Sequence, residues 1–341
     1  MQEALFKVRE NRKFGFMDAF GSVVIEPQYL EAEPFYNGFS RVRFNNRLVH
    51  MDTQGRLLLK RLYNFVGFFE EGLARAQLVR RWGYLDMRGN LAIELDFEDA
   101  TDFNEGVAAV AQSGQYGYIN REGKWMLPPV FEKAQGFRSG LAAVCLQNHW
   151  GYIDQEGSVA IKPAFDLAFS FKQDWAVVVV DEQWGLIDRE GNWILEPQFD
   201  WEDGQHVPEF IEQQVVVKQE GLYGFLHRDG SFRIPPKFDF CGDFSEGVAL
   251  VELNGRYGFI DPEGEWIVRP RFEDAGYFSD GLAPVQKQNR WGFIDRAGEW
   301  ALSPKYDYAE PFRDNLALVL ERGAWTYINP KGDVIWQEVL Q

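Results

Sequence analysis

The residues with the clearest chemical potential are aspartates that recur three residues before a glycine, in the pattern D-x-x-G. They are Asp18, Asp52, Asp86, Asp154, Asp188, Asp261 and Asp295. A row of such carboxylates could hold cations, but Ca²⁺ takes about six to eight oxygen ligands and each turn supplies one such Asp. Arginines share these turns at Arg88, Arg121, Arg189, Arg228 and Arg296. We therefore expect each Asp to cap its own turn, with glycine at positive φ, and we predict no metal site.

Tryptophans form a second candidate set, because indole rings can stack on sugars or peptides. Five belong to one recurring strand position and four to another: Trp82, Trp150, Trp184, Trp291 and Trp325, then Trp125, Trp193, Trp266 and Trp300. Their regular spacing favours packing between structural units. An exposed platform for ligand stacking is the alternative.

The remaining reactive side chains show no catalytic pattern. The four histidines lack H-x-x-x-H spacing and a partner nucleophile motif: His50, His149, His206 and His227. The two cysteines, Cys145 and Cys241, are predicted to be small buried residues. No G-x-S-x-G, P-loop or G-x-G-x-x-G element occurs. We predict that the protein is not an enzyme, has no catalytic residues and needs no cofactor.

The elements that must position these residues are copies of one repeat. An aromatic-glycine pair, or a variant of it, begins at positions 14, 48, 82, 116, 150, 184, 223, 257, 291 and 325. Eight intervals measure 34 residues, and the one between Trp184 and Tyr223 measures 39, which indicates a five-residue insertion within 201–210. We therefore predict a single repeat domain of ten units over residues 1–341.

Each unit contains three short runs of alternating apolar and polar residues, such as 141–144, 150–154 and 159–161. This alternation predicts a three-stranded antiparallel meander. The connector that follows carries two aromatic anchors, for example Phe131 and Phe137, which should form a hydrophobic spine between units. Glycine after the strand aromatic is expected to allow close approach of the next unit.

The motif P-x-F-D/E-x-A-x-x-F-x-x-G-L-A-x-V, followed by W-G-Y-I-D-x-x-G, resembles the bacterial WG-repeat family over almost the whole chain. The departures are Leu48-Val49, Thr326, and Gln205 where regular spacing would place Phe. The resemblance implies a β-rich repeat protein without a shared catalytic residue, similar in style to the aromatic hairpins of cell-wall-binding solenoids. It implies no particular substrate.

We predict an all-β fold in which ten three-stranded meanders stack as an open twisted solenoid. Both chain ends fall at the same unit boundary, so no unit is divided between them, and this favours the open stack. A β-propeller is the alternative. It would be favoured if the connector formed a short fourth strand, because four strands in 34 residues make a compact blade.

The charge balance limits the partners. With 35 Lys and Arg against 52 Asp and Glu, the net charge of −17 disfavours nucleic acid. No uninterrupted apolar stretch approaches membrane-spanning length and no leader segment is evident, so we expect a cytoplasmic protein without membrane insertion.

Charge is divided unevenly along the chain. Through Trp82 there are 13 Lys and Arg against 9 Asp and Glu, a net of +4, while the remainder has 22 against 43, a net of −21. We predict that the basic first units bind an acidic patch of a protein partner. The candidate partner-binding residues are Arg12, Lys13, Arg41, Arg43, Arg47, Arg80 and Arg81, with Trp201 and His206 in the insertion. A solvated edge that only blocks strand pairing would explain the same basic residues.

These observations predict a non-enzymatic protein-protein interaction scaffold or assembly subunit that binds a partner along its repeat surface. The alternative is a carbohydrate-binding or cell-wall glycan-binding repeat module. Exposure of the strand tryptophans distinguishes the two, because a glycan site needs accessible indole rings.

Overall fold

The structure is a computed structural model that describes residues 4–58, 63–202, 207–211, 214–227 and 230–339. Within these ranges the regular elements are all β-strands, so the prediction of an all-β repeat protein is confirmed. No helix capable of crossing a lipid bilayer occurs in the described part of the chain. We number the repeats one to ten in the order of their aromatic-glycine positions.

The strands fall into four classes, named by their order within a repeat. The first strands are Phe6–Glu10, Phe39–Phe44, Leu73–Leu78, Val107–Gln112, Ala142–Leu146, Trp175–Val180, Gln214–Gln219, Val248–Leu253, Ala283–Lys287 and Ala317–Glu321. The second strands are Lys13–Met17, Arg47–Asp52, Arg81–Asp86, Gln115–Asn120, His149–Ile153, Gln183–Asp188, Leu222–His227, Arg256–Ile260, Arg290–Ile294 and Ala324–Ile328.

The third strands end each repeat, and short connector strands precede the first strand of the next repeat. The third strands are Val23–Tyr29, Leu91–Phe97, Trp125–Phe131, Val159–Phe165, Trp193–Asp200, Phe232–Phe238, Trp266–Phe272, Trp300–Tyr306 and Val334–Gln337. The connector strands are Phe65–Val66, Asp99–Ala100, Lys133–Ala134, Leu167–Ala168, Phe240–Ser245, Asp274–Ala275 and Tyr308–Ala309.

A complete sheet is a four-stranded antiparallel meander in the order connector, first, second and third strand. Repeats three to six and eight to ten have all four strands, whereas the described residues show three in repeats one and seven and two in repeat two. The three predicted strands are present in most repeats, and the connector adds the short fourth strand that was expected of a blade-like unit. Each sheet closes its hydrogen-bond ladders within one repeat.

In the eight repeats that carry it, glycine after the strand aromatic is needed inside the sheet. A Cβ on Gly151 would lie 2.6 Å from the Ile161 carbonyl oxygen and 2.6 Å from the Pro163 nitrogen, both on the third strand of the same repeat. The pairing of the second and third strands is shifted at this point, between Trp150 and Tyr152. The expectation that glycine serves close approach of the next unit is therefore wrong, because the atoms that exclude a side chain belong to its own sheet.

The connector aromatics form the predicted spine. Phe137 is 1% exposed, and its ring packs on Tyr118 of the preceding repeat with the ring centres 4.9 Å apart. The same contact recurs in the pairs Tyr84–Phe103, Tyr152–Phe171, Phe225–Phe244, Phe259–Phe278 and Phe293–Phe312. Each connector anchor therefore fills the space beside the second strand of the repeat before it, and this joins neighbouring repeats through apolar burial.

The chain forms two compact units. Unit one combines Glu3–Pro27 with Pro208–Gln341, and unit two runs from Gln28 to Val207. Within unit one, repeat one packs on repeat ten, because the Phe6 and Tyr327 ring centres lie 5.8 Å apart and both side chains share one apolar cluster. Unit two contains repeats two to six. A single domain over residues 1–341 stays a prediction.

Candidate functional site

The recurrent aspartates cap their own turns. The Oδ1 atom of Asp295 accepts the N–H groups of Ala297 and Glu299 at 2.9 and 3.0 Å. Asn120 makes the same two bonds through its amide oxygen. Equivalent caps occur at Asp18, Asp52, Asp86, Asp188 and Asp261. Among the described residues, no group of three or more His, Cys, Asp or Glu side chains could hold a metal ion.

A second set of acidic side chains caps the hairpins between first and second strands, and sequence analysis missed it. Glu132, which follows Phe131 at the end of a third strand, accepts the N–H groups of Gln147 and Asn148 at 2.9 and 3.0 Å. These bonds, the one from Asn148 above all, hold the pKa of Glu132 below its usual range. Equivalent caps come from Glu98, Asp166, Asp239, Glu273 and Asp307. The acidic position of the F-D/E-x-A motif was the signal that could have predicted them.

Arginines in three of the glycine turns, two of them D-x-x-G and one N-x-x-G, reach back to the preceding repeat. Arg189 donates to the carbonyl oxygen of Ser139 at 2.6 Å, in the loop before the first strand of repeat five. The same contact joins Arg121 to Glu71 and Arg296 to Glu246. These arginines therefore serve a structural purpose that their sequence position alone did not indicate.

Arg41 and Arg43, two predicted partner-binding residues, are engaged within unit two. Arg41 makes a bidentate pair with Glu33, at 2.6 Å from Nε and 2.9 Å from Nη2, and its guanidinium lies 4.3 Å from the centre of the Phe68 ring. Arg43 pairs with Glu31 at 2.6 Å, and this bond holds the pKa of Glu31 below its usual range. Each of these arginines is thus paired with a carboxylate of the same unit. Its charge is therefore less available to bind an acidic patch of a partner.

A half-buried polar cluster near Arg41 was also missed in the sequence. The Nε atom of Arg75 lies 3.0 Å from Oδ1 of Asp102, and a second guanidinium nitrogen donates to the Ala100 carbonyl oxygen at 3.2 Å. Burial raises the pKa of Asp102 against the opposing effect of Arg75. His50 is 3% exposed, and its loss of hydration lowers its pKa to about 4. Because His50, Arg75 and Asp102 lie on different repeats, no local sequence motif predicts that they come together.

A polar cleft of about 270 Å³ opens beside Asp102. Residues from four successive connectors line it, those that lead into repeats three to six. Two of the lining side chains already join neighbouring repeats: Asn104 donates to the Phe137 carbonyl oxygen at 2.8 Å, and the Glu71 carboxylate accepts the Gly106 N–H at 3.0 Å. Much of the polar lining is therefore committed to packing, and we assign no chemistry to this cleft.

The hairpin turn of repeat three differs from its counterparts. Val79 and Arg80 occupy its tip at φ 50 and 63, and Val79 is 80% exposed. A β-branched residue at positive φ is strained. The cap is Asn64, which accepts the Val79 N–H at 2.9 Å and carries no charge. Arg80 and Arg81 are exposed, although Arg81 also donates to the Asp96 carbonyl oxygen. Of the predicted set, these two arginines are brought together beside an apolar tip.

The other predicted partner-binding residues occupy separate places. Arg12 and Lys13 are exposed at the hairpin of repeat one, in unit one. Arg47 begins a second strand in unit two, and its side chain lies outside the described part of the structure. Trp201 is half-buried after the third strand of repeat six, where its ring packs on a connector phenylalanine 5.1 Å away. His206 lies outside the described residues.

The strand tryptophans divide into two groups. Those on second strands are largely buried, namely Trp150, Trp184 and Trp291. On the third strands, Trp125 and Trp193 are 38% and 42% exposed. Each packs edge to face on the aromatic that ends the third strand of the preceding repeat, Trp125 on Phe97 at 6.0 Å and Trp193 on Phe165 at 5.9 Å. Packing therefore accounts for the buried group, while the exposed pair keeps accessible ring surface.

Comparison with solved structures shows the fold. A crystal structure of the eukaryotic initiation factor shares 10% identity, covering 99% of this chain and 96% of that chain with a TM-score of 0.55. The computationally designed Ika8 protein (12% identity, 88% and 96% covered, TM-score 0.40) and Kluyveromyces lactis Hsv2p (13%, 71% and 97%, TM-score 0.34) are also similar. At these identities the first likeness shows an all-β repeat fold alone. Comparison with curated proteins finds no match.

The aromatic-glycine repeat itself matches a known sequence family. The WG containing repeat matches nine segments, at residues 14–47, 51–78, 82–116, 116–148, 150–184, 184–201, 223–257, 257–291 and 291–323. They include the turns, caps and connector anchors described above. The match stops before the tenth copy, where Thr326 replaces the glycine. This chain belongs to the WG-containing repeat family.

Proposed function

We propose that this protein is a non-enzymatic scaffold that binds another protein, and that the hairpin of Val79, Arg80 and Arg81 docks on an acidic patch of that partner. We call these three residues the repeat-three turn. The observation that carries the proposal is Val79, which is exposed and adopts a left-handed backbone conformation, although the hairpin does not require valine at this position. Strain and exposed apolar surface are both unfavourable for the isolated protein, so a binding role is the physical reason to retain them.

The equivalent tip positions show that the fold favours a polar residue there. They hold Asn11, Asn45, Ser113, Gln147, Asp181, Glu220, Asn254, Gln288 and Arg322, all at positive φ. Valine departs from this set, and the neutral cap Asn64 leaves the two neighbouring arginines without the carboxylate found at other turns. An apolar tip flanked by cations is suited to a partner surface that joins an apolar pocket to acidic side chains, since charge complementarity speeds docking.

The proposed partner is a protein rather than a nucleic acid. The net charge of −17 repels phosphate backbones over most of the surface, whereas a local cationic turn can still attract an acidic protein patch. We also propose that this association takes place in the cytoplasm. The chemistry-bearing side chains described above are occupied in caps and inter-repeat contacts, and this supports a scaffold rather than an enzyme.

The test uses proteins captured from the native host and identified by mass spectrometry, whose affinity is then measured for purified variants over a range of salt. We expect Val79→Asn to weaken binding while the fold is retained, since asparagine occupies this position in three other repeats. We expect Arg80→Gln with Arg81→Gln to weaken binding mainly at low salt. The matched control is Arg322→Gln at the equivalent turn of repeat ten. Equal affinity of all these variants would contradict the proposal.

A glycan-binding function is the second candidate, and the exposed rings of Trp125 and Trp193 favour it. Titration with soluble peptidoglycan fragments, followed by tryptophan fluorescence, tests it directly. Saturable binding that is lost in Trp125→Ala or Trp193→Ala but kept in Val79→Asn would support the glycan module over the protein scaffold.

A further inference from the structure

In the described part of repeat one, the first strand forms an open edge of its sheet. Seven sheets carry a connector strand beside their first strand, but among the described residues none pairs with Phe6–Glu10, whose sheet contains only first, second and third strands. The register on the second strand places Val8 opposite Gly15. Because hydrogen-bonded pairs alternate in antiparallel ladders, the backbone groups of Lys7 and Arg9 point away from the second strand. They face the side where a connector strand pairs in other repeats.

Repeat ten shows what a connector supplies to that side. Its connector donates two N–H groups to the carbonyl oxygens of Leu318 and Leu320, at 2.9 and 2.8 Å. The equivalent carbonyl oxygens in repeat one belong to Lys7 and Arg9. The Lys7 oxygen accepts the Tyr327 hydroxyl at 3.1 Å. A side chain from repeat ten thus replaces one connector contact, while the edge around Arg9 keeps the geometry for strand addition.

The hairpin of repeat one also has a preformed place for a carboxylate. Asn11 and Arg12 lie at φ 51 and 61, close to φ 50 and 60 at Asp181 and Glu182 in repeat six. In repeat six the connector residue Asp166 accepts the Asp181 N–H at 2.8 Å. Within the described ranges, no side chain caps the hairpin of repeat one. Its N–H groups therefore have the conformation that a connector acid recognises.

An aromatic position of the connector is open as well. In repeat ten Tyr308 packs on Trp325 with ring centres 6.0 Å apart, and the residue equivalent to Trp325 in repeat one is Phe14. Two cations lie over the Phe14 ring instead, Lys7 at 5.1 Å and Arg9 at 5.8 Å. These cations give the open edge the charge to attract an acidic segment.

We propose that the open edge of repeat one binds an extended acidic segment of a partner protein with the connector pattern aromatic-acid-aromatic-Ala. The segment pairs antiparallel to Phe6–Glu10, its acid caps the hairpin at Asn11, and its second aromatic packs beside Phe14. Backbone hydrogen bonds supply affinity, and the acid and the aromatic supply specificity. This inference is independent of the repeat-three turn.

The test uses a fluorescent peptide that copies residues 304–313 of this protein, the connector of repeat ten, titrated into the full chain. We expect saturable binding at one site and slower hydrogen exchange at the amides of Lys7 and Arg9. A peptide that carries Asp307→Lys should bind at least about tenfold more weakly, because it loses the cap and reverses the charge.

Two variants of the protein distinguish this edge from general attraction of charge. Lys13→Glu, at the hairpin that the acid of the peptide caps, should weaken peptide binding by about tenfold. Arg256→Glu, the equivalent position in repeat eight, should not, because the connector strand Phe240–Ser245 already covers that sheet. The proposal is overturned by absence of saturable binding, by equal affinity of both peptides, or by equal effects of the two variants. Full protection of the Lys7 and Arg9 amides in the free chain would also overturn it, because the chain itself would then cover the edge.

Discussion

Arg189 donates from Nη1 to the carbonyl oxygen of Ser139 at 2.6 Å, although 50 residues separate the two positions. The bond ties the D-x-x-G turn of repeat six to the loop that leads into repeat five. Since each sheet closes its ladders within one repeat, side-chain bonds of this kind and the aromatic spine are what hold neighbouring repeats in place.

Removing this tie should destabilise the protein. We expect Arg189→Gln to lower the free energy of unfolding by about 1–3 kcal/mol, because a charged hydrogen bond to a backbone acceptor is lost. Urea denaturation measures the change. Arg88→Gln is the matched control, since Arg88 lies exposed in an equivalent turn. Equal midpoints for the two variants would show that the tie adds nothing to stability.

The turn caps should depend on an oxygen acceptor rather than on charge. Asp154 accepts the Ser158 N–H at 2.8 Å, and Asn120 fills the equivalent place in repeat four. We therefore expect Asp154→Asn to leave the melting temperature nearly unchanged and Asp154→Ala to cost about 1 kcal/mol. If EDTA lowered the melting temperature and calcium restored it, metal binding would replace capping as the explanation.

Acid should destabilise the protein through His50. Burial lowers the pKa of His50 to about 4, while the unfolded chain takes up the proton near the ordinary value of about 6.5. The unfolded state then binds more protons in this window, so stability falls as pH drops from about 6.5 to 4, by up to about 3 kcal/mol. His50→Phe should remove this component, since Phe225 and Phe259 occupy the equivalent position. The difference between the two pH profiles of the free energy of unfolding measures it, and parallel profiles would contradict the expectation.

The connector anchors should be costly to truncate. Phe137 and Phe244 are almost fully buried between repeats, so replacing either with alanine should cost about 3–5 kcal/mol. Phe20, which is 83% exposed, provides the matched control and should tolerate the same change. Chemical denaturation compares the three variants, and a small loss at both anchors would mean that the spine does not carry the packing.

The amino-acid sequence by itself determined the repeat length, the three main strands, the turn caps and the connector anchors. These features depend on contacts within a few dozen residues. Gly157 at positive φ, Asp154 three residues earlier and the buried Phe137 could all be predicted, because a turn or an apolar anchor imposes its demand on its own short segment.

Only the tertiary structure decided which charged side chains form ion pairs and which residues distant in sequence contact each other. Arg41 and Arg80 look alike in the sequence, yet Arg41 is paired with Glu33 while Arg80 is exposed at a strained turn. The bond from Tyr327 to Lys7 joins positions 320 residues apart. Ion pairs and edge contacts depend on distances between repeats, and the periodicity of one repeat contains no information about which side chain of another will lie within hydrogen-bonding range.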